Sequence, residues 1–247
     1  MRELVAVARF GGRIYWRDRV AVSTSVALSL GLGIGLPVLF SKLGEDVPVL
    51  ATHLGLLGML VTLTALNQAA VSLSARRDQL ILKRMRATGL RDRDILGGEL
   101  VNITLQSTLV AVAISVVLYA TGTVPPPAQP VVFLVFVVAG AGVLALLGAA
   151  FTAAISRAEI ASVMAMPFFL LAGVGGGGFG PMLKLLPEWV QSAFGLLPST
   201  ALVRALTIAH EGGAWSGYLM PALNLAIWAV IGLAAIKLWF RWESRKS

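Results

Sequence analysis

The chain has 247 residues, 57% hydrophobic and only 13% charged, with a mean hydropathy of +0.84. A soluble domain carries about 25% charged and about 45–50% apolar residues, so a water-soluble enzyme and a soluble nucleic-acid binder are excluded and an integral membrane protein remains. The net charge of +8 comes from 20 Lys+Arg against 12 Asp+Glu, an excess that marks the cytoplasmic loops of a membrane protein; no cysteine is present, which excludes disulfides and thiolate metal sites.

In chain order, residues 1–19 read as an amphipathic interfacial helix. Arg2, Arg9, Arg13 and Arg17 fall on one face and Leu4, Val7, Ile14 and Tyr15 on the other, so the helix lies in the headgroup plane as an anchor or as a mechanical element. Five arginines ahead of a long apolar run do not fit a cleavable signal peptide. Six segments of about 20 apolar residues follow: Val20–Phe40, His53–Leu73, Gly98–Ala120, Val131–Ile155, Ile160–Gly178 and Trp215–Leu238. A seventh stretch, Ala193–His210, contains Pro198 and Arg204. An arginine at mid-membrane costs about 2.5–3.5 kcal/mol, so this stretch is left out. With both termini inside, all basic residues except Lys42, Lys184 and Arg204 lie on the inside segments or at the inner end of span six. Trp16, Trp239 and Trp242 then mark the inner interface, and Trp189 and Trp215 the outer one. The expected fold is an all-α integral membrane protein, one domain over 1–247, with six transmembrane helices and N-in/C-in topology in the cell inner (plasma) membrane.

The longest inside loop, 74–97, places Leu80, Ile81 and Leu82 between two basic clusters, with Gly89 as a helix stop. Charge alone would serve topology, whereas an apolar knob on a short helix also suits docking into a partner's groove. Pro167 sits mid-way along span five and predicts a kink there. Beyond it come Gly173, Gly175 to Gly178 and Gly180, then a stretch too polar to cross and too apolar to be a free loop. It reads as two short helices folded back on the outer leaflet, a re-entrant hairpin over 179–212, or as a mere glycine-rich turn.

No ionisable residue lies near the centre of a span. Glu99 and Glu159 sit at the inner starts of spans three and five, where the helix dipole and nearby arginines favour a carboxylate or where motion passes in from the loops. A transporter driven by protons or sodium usually carries an intramembrane carboxylate, so the energy should come from elsewhere. No Gly-Lys pair, hence no Walker A motif, occurs; if ATP is used, another polypeptide binds it. His53 and His210 are the only histidines, and no catalytic or metal constellation forms around them. The chain reads as a transport subunit with no cofactor or metal of its own. Asn67 and Gln68 on span two and Asn102 and Gln106 on span three are either interhelical hydrogen-bond partners or polar points on a translocation path. Phe168 and Phe169 either pack or line an adaptable pocket. Ala21, Ser25, Ser29 and Gly33 recur every four residues, as do Ala141, Ala145, Ala149 and Ala153; such ladders permit close contact within one chain or between two.

Leu82-Lys-Arg-Met-Arg-Ala-Thr-Gly-Leu90, followed by Asp94-Ile95-Leu96, resembles the coupling loop of ABC-2 type transporter permeases. The basic N-terminal helix is similar to that family's connecting helix, and Leu186-Pro-Glu-Trp189 with Leu197-Pro-Ser-Thr200 is similar to its outer hairpin. Gly89 stands where proline is common, and Arg76-Arg-Asp-Gln79 where acidic-basic pairs are usual. The resemblance implies a half-size permease that pairs with a second copy, identical or paralogous, and with separate ATPase subunits holding ATP and Mg. It implies ATPase contact through Leu80, Leu82, Lys83, Arg84, Met85, Arg86, Thr88, Gly89 and Glu99. It implies a dimer interface at Ser25, Ser29, Gly33 and Pro167. Asn67, Gln68, Asn102, Gln106, Phe168 and Phe169 are the candidate path. The expected function is ATP-driven export of an amphipathic or hydrophobic drug or antibiotic. Export of a lipid-linked glycan or another envelope component, and a nucleotide-independent channel, are the other readings.

Overall fold

The computed structural model describes residues 19–42, 48–87, 89 and 91–240. Among them every regular element is helical. A segment in hydrocarbon has no water to satisfy its N–H and C=O groups, so each apolar run closes its own hydrogen bonds as a helix. The first helix, α1, is Arg19–Lys42. The second, α2, spans Val49–Asp78, and its Thr62–Asn67 stretch is π-helical. Then come α3 (Ile81–Ala87), α4 (Asp92–Ala120), α5 (Pro130–Phe151) and α6 (Ala161–Gly175). Two short helices follow, α7 (Glu188–Gly195) and α8 (Pro198–Glu211). The last is α9 (Leu219–Trp239).

By length and composition α2, α4, α5, α6 with its lead-in turn, and α9 with its lead-in turn are able to cross a bilayer. The 24 residues of α1 reach about 36 Å at 1.5 Å per residue, enough for a hydrocarbon core of about 30 Å. At the α3 end α2 and α4 outrun their apolar segments, whereas α5 and α6 stop at Phe151 and Gly175, short of theirs. The second continues to Asp78 and the fourth begins at Asp92, because hydropathy reports where the bilayer ends and not where the hydrogen-bond ladder does. The stretch set aside as a seventh span is α7 and α8, bent by 81° at their junction.

At the centre is α5, which packs against α2, α4, α8 and α9. Its expected alanine ladder explains why: Ala141, Ala145 and Ala149 are fully buried, and a small-residue face lets helices approach closely. Gly148 sits on the same helix, and a Cβ there would run into the Leu66 carbonyl and Ala69 of α2. Gly55 plays the same part further along α2, where a Cβ would strike the backbone of Gly176 to Gly178. The glycine-rich turn after α6 is therefore seated against α2. The Ala158 N–H donates to Asp78 Oδ2 (2.8 Å), so α6 starts beside the end of α2. It ends at the opposite face of the molecule, where the glycine turn, α7 and α8 lie.

Gly148→Ala should lower stability by about 1–3 kcal/mol, the usual cost of overpacking. Thermal unfolding in mild detergent measures it, and an unchanged melting temperature would show that α5 retreats from α2 without cost.

Candidate functional site

The segment between α2 and α4 is built as a short helix on a rigid base. Leu80 takes φ 59 and turns the chain out of α2. Gly89, at φ 83, ends α3, in the left-handed region that only glycine occupies without strain. Between these turns Lys83, Arg84, Arg86 and Gly89 are exposed, as is Leu80, and Met85 is half-buried. Leu82 is 1% exposed and faces into the chain, which corrects its assignment to the docking surface. Arg86 pairs with Asp92 at 2.9 Å and links the end of α3 to the start of α4. Thr88 and the N-terminal 1–18 lie outside the described residues.

Beneath α3 the charges are buried and partnered. Arg77, 4% exposed, donates to Thr152 O (3.1 Å) and Ile155 O (2.8 Å) in the turn that ends α5. Its neighbour Asp78 accepts the Ala158 N–H at the start of α6. One turn of α2 thus holds both sides of the α5–α6 loop. Arg76 meets Glu99 of α4 at 2.8 Å, and Ser72 Oγ donates to the other Glu99 oxygen (2.7 Å). Glu99 is 4% exposed and two turns inside α4. It lies inward of the helix start, so of the dipole and the nearby arginine expected to hold its charge it is Arg76 that does so, since the dipole's effect fades within the first turn.

Further along, α2 and α4 share a polar seam. Gln68 Nε2 donates to Gln106 Oε1 (2.8 Å), and Thr64 and Ser107 hydroxyls lie 2.6 Å apart. The seam runs beside the π-helical stretch, whose Thr62 and Thr64 hydroxyls bond back to Gly58 O and Leu60 O. Asn67 Oδ1 and Gln106 Nε2 are buried without a hydrogen-bond partner. Asn67 and Asn102 are half-buried. Such π segments are frequent at functional sites, where they break the regular ladder.

A family model described as ABC-2 type transporter matches residues 2–209. The chain belongs to the ABC-2 type transporter family. It is therefore the membrane-spanning permease subunit of an ABC transporter, a transport subunit and not the ATPase itself. No curated protein matches it.

The structure redistributes the other expected sites of the permease. Ser29 is fully buried, and a Cβ on Gly33 would meet Ile114 and Leu60 at 2.7 and 2.9 Å. Ser29 and Gly33 thus pack inside the chain, and the side chain of Ser25 lies outside what is described. The outward face of α1 carries Leu28, Gly31, Gly35 and Leu39 instead. Pro167 is exposed on α6, as is Phe168, which sets its edge on Phe151 at 5.0 Å; Phe169 is half-buried. At the far end His53 is buried near Ser115 and Tyr119. His210 Nδ1 donates to Leu206 O (3.1 Å), so its Nε2 accepts from the Tyr119 hydroxyl (3.1 Å). These side chains close α2, α4 and α8 together.

Arg77 was counted only as a topogenic charge in the sequence. A signal was there, because Leu66, Ala70, Leu73 and Arg77 recur at helical spacing and the first three are apolar. Arg77→Ala should lower stability by about 2 kcal/mol or more, since it removes two hydrogen bonds from a charged donor. Denaturant titration in micelles tests this, and an unchanged midpoint would mean that water replaces the guanidinium.

Proposed function

We propose that the permease exports an amphipathic or hydrophobic compound of the drug or antibiotic kind, powered by a separate ATPase that docks on α3. The observation that carries this reading is the exposed basic face of α3, Lys83 and Arg84 foremost, set on buried pairs that reach α4, α5 and α6. A push on α3 moves Arg76 and Arg77, and through them Glu99 and the α5–α6 loop. In this reading α3 and both termini are cytoplasmic, and the α7–α8 end faces outward.

The moving part is the seam between α2 and α4. Its Gln68–Gln106 bond is neutral and worth only about 0.6–2 kcal/mol, so ATP-driven docking is able to open it. Opening would present Asn67, Gln68, Asn102 and Gln106 to a passing solute, and Phe168 and Phe169 of α6 are further candidates for the path. The expected path has uncharged polar points and apolar walls, which favours amphipathic molecules over ions. A second copy would be met by the exposed face of α6 around Pro167, Val163 and Met166, and by the outward stripe of α1. Both present apolar surface at the molecule's edge.

Lys83→Glu with Arg84→Glu should reduce recovery of the ATPase with the affinity-tagged permease by about tenfold or more, because like charges set against a docking cleft cost several kcal/mol. Membrane insertion should be unchanged. Pull-down from native membranes with quantitative mass spectrometry reads both. Unaltered ATPase recovery removes α3 as the docking element, and solute flux through the chain alone in liposomes without nucleotide replaces export with a channel.

A further inference from the structure

At the end opposite α3, the junction of α7 and α8 leans on α9. The Leu196 carbonyl at that junction accepts from Asn224 Nδ2 (3.0 Å) and Trp228 Nε1 (2.7 Å). Beside this anchor lies an open groove of about 270 Å³. Its α9 wall carries Met220, Leu223 and Ile227, each more than half exposed, beside Pro221 and Asn224. Its other wall carries Arg204 of α8, which is also exposed. Among the described residues Arg204 makes no ion pair.

The two walls ask for different chemistry. An arginine next to hydrocarbon is costly unless its charge meets an anion or water. A guanidinium offers a planar fork of donors that fits phosphate. The α9 wall has one polar side chain, Asn224, whose Nδ2 is spent on Leu196 O; the rest is apolar and continues along the helix through Val230 and Leu233, both exposed. One molecule meets both demands when it carries an anionic phosphate at one end and an acyl chain at the other.

We propose that this groove binds an anionic phospholipid, with its phosphate on Arg204 and an acyl chain along Met220, Leu223 and Ile227. The leaflet is the outer one, a point that rests on the orientation proposed above. The bound lipid spans from α8 to α9 and braces the α7–α8 junction from the side that Asn224 and Trp228 leave open.

The test uses the full-length permease in nanodiscs of equimolar phosphatidylglycerol and phosphatidylcholine. After transfer to mild detergent, native mass spectrometry reads which lipid stays. The wild type should retain phosphatidylglycerol over phosphatidylcholine. Arg204→Gln should cut that preference about tenfold, the factor that one charge-assisted hydrogen bond supplies. Met220→Glu should cut it too, by placing a carboxylate beside the headgroup on an exposed position where folding is undisturbed. Arg204→Lys should keep most of it. Equal lipid ratios in wild type and either charge variant overturn the proposal. Displacement of the lipid by millimolar inorganic phosphate also overturns it, because the groove would then read a free anion. The measurement needs neither ATPase nor substrate, so it stands apart from the export reading.

Discussion

Arg77 sets a full positive charge against the backbone carbonyls of Thr152 and Ile155, where α5 ends. The carbonyls at the end of α5 are already met by the N–H groups of the turn that follows, Thr152 O by Ile155 N–H among them. A guanidinium buried without acceptors would be costly, and the spare acceptor capacity of this turn removes that penalty. The consequence is geometric. The end of α2 is fixed against the end of α5, and α5 is the helix around which α2, α4, α8 and α9 are arranged. Asp78 repeats the logic one residue on, with an acceptor for the Ala158 N–H. Two adjacent residues therefore decide where the α5–α6 loop sits relative to α3.

The packing above this joint follows the same economy of space. In a bilayer, helices gain little from burying apolar surface against one another, so close van der Waals contact and buried hydrogen bonds must hold them. Gly148 and the alanines of α5 supply the first against α2, and the Gln68–Gln106 and Thr64–Ser107 contacts supply the second between α2 and α4. The two kinds of contact differ in what they allow. A glycine-to-carbonyl contact fixes a distance and resists sliding, whereas a neutral amide pair can break and reform. It follows that α2 is held to α5 and more loosely to α4. Its π-helical stretch lies where those two contacts meet.

The sequence made the spans legible because an apolar run of about 20 residues has few folded alternatives. It also made the α3 segment legible, since Gly89 marks its end and the basic residues set its face. What it withheld was direction. A ladder such as Ser29 and Gly33 announces a close contact without naming the neighbour, and here the neighbours are Leu60 and Ile114 of the same chain. The run Leu80-Ile81-Leu82 looks like one apolar knob. The positive φ at Leu80 splits it, leaving Leu80 exposed and Leu82 buried. For Glu99 the nearby arginine was legible and the place along the helix was not. The apolar run begins near Gly98, but the helix begins at Asp92, and only the helix's true start tells whether a carboxylate feels its dipole.

These particulars bear on how force travels. A coupling element that merely touched a membrane domain would lose its displacement in side-chain motion. Here the exposed basic residues of α3 lie within about one helical turn of Leu82, which is buried, and α3 follows directly on the end of α2, where Arg76 and Arg77 are partnered. The linkage beneath α3 to α4, α5 and α6 is therefore short and charged, and its buried bonds strengthen as water is excluded, while the direct pair from α3 to α4, Arg86–Asp92, is exposed. The opposite end is closed differently, by the glycine turn on Gly55 and by the Tyr119–His210 bond, both free of ion pairs. In the proposed reading a partner moves the permease from the α3 side only, and ionic contacts there with neutral contacts at the far end suit a drive of that kind.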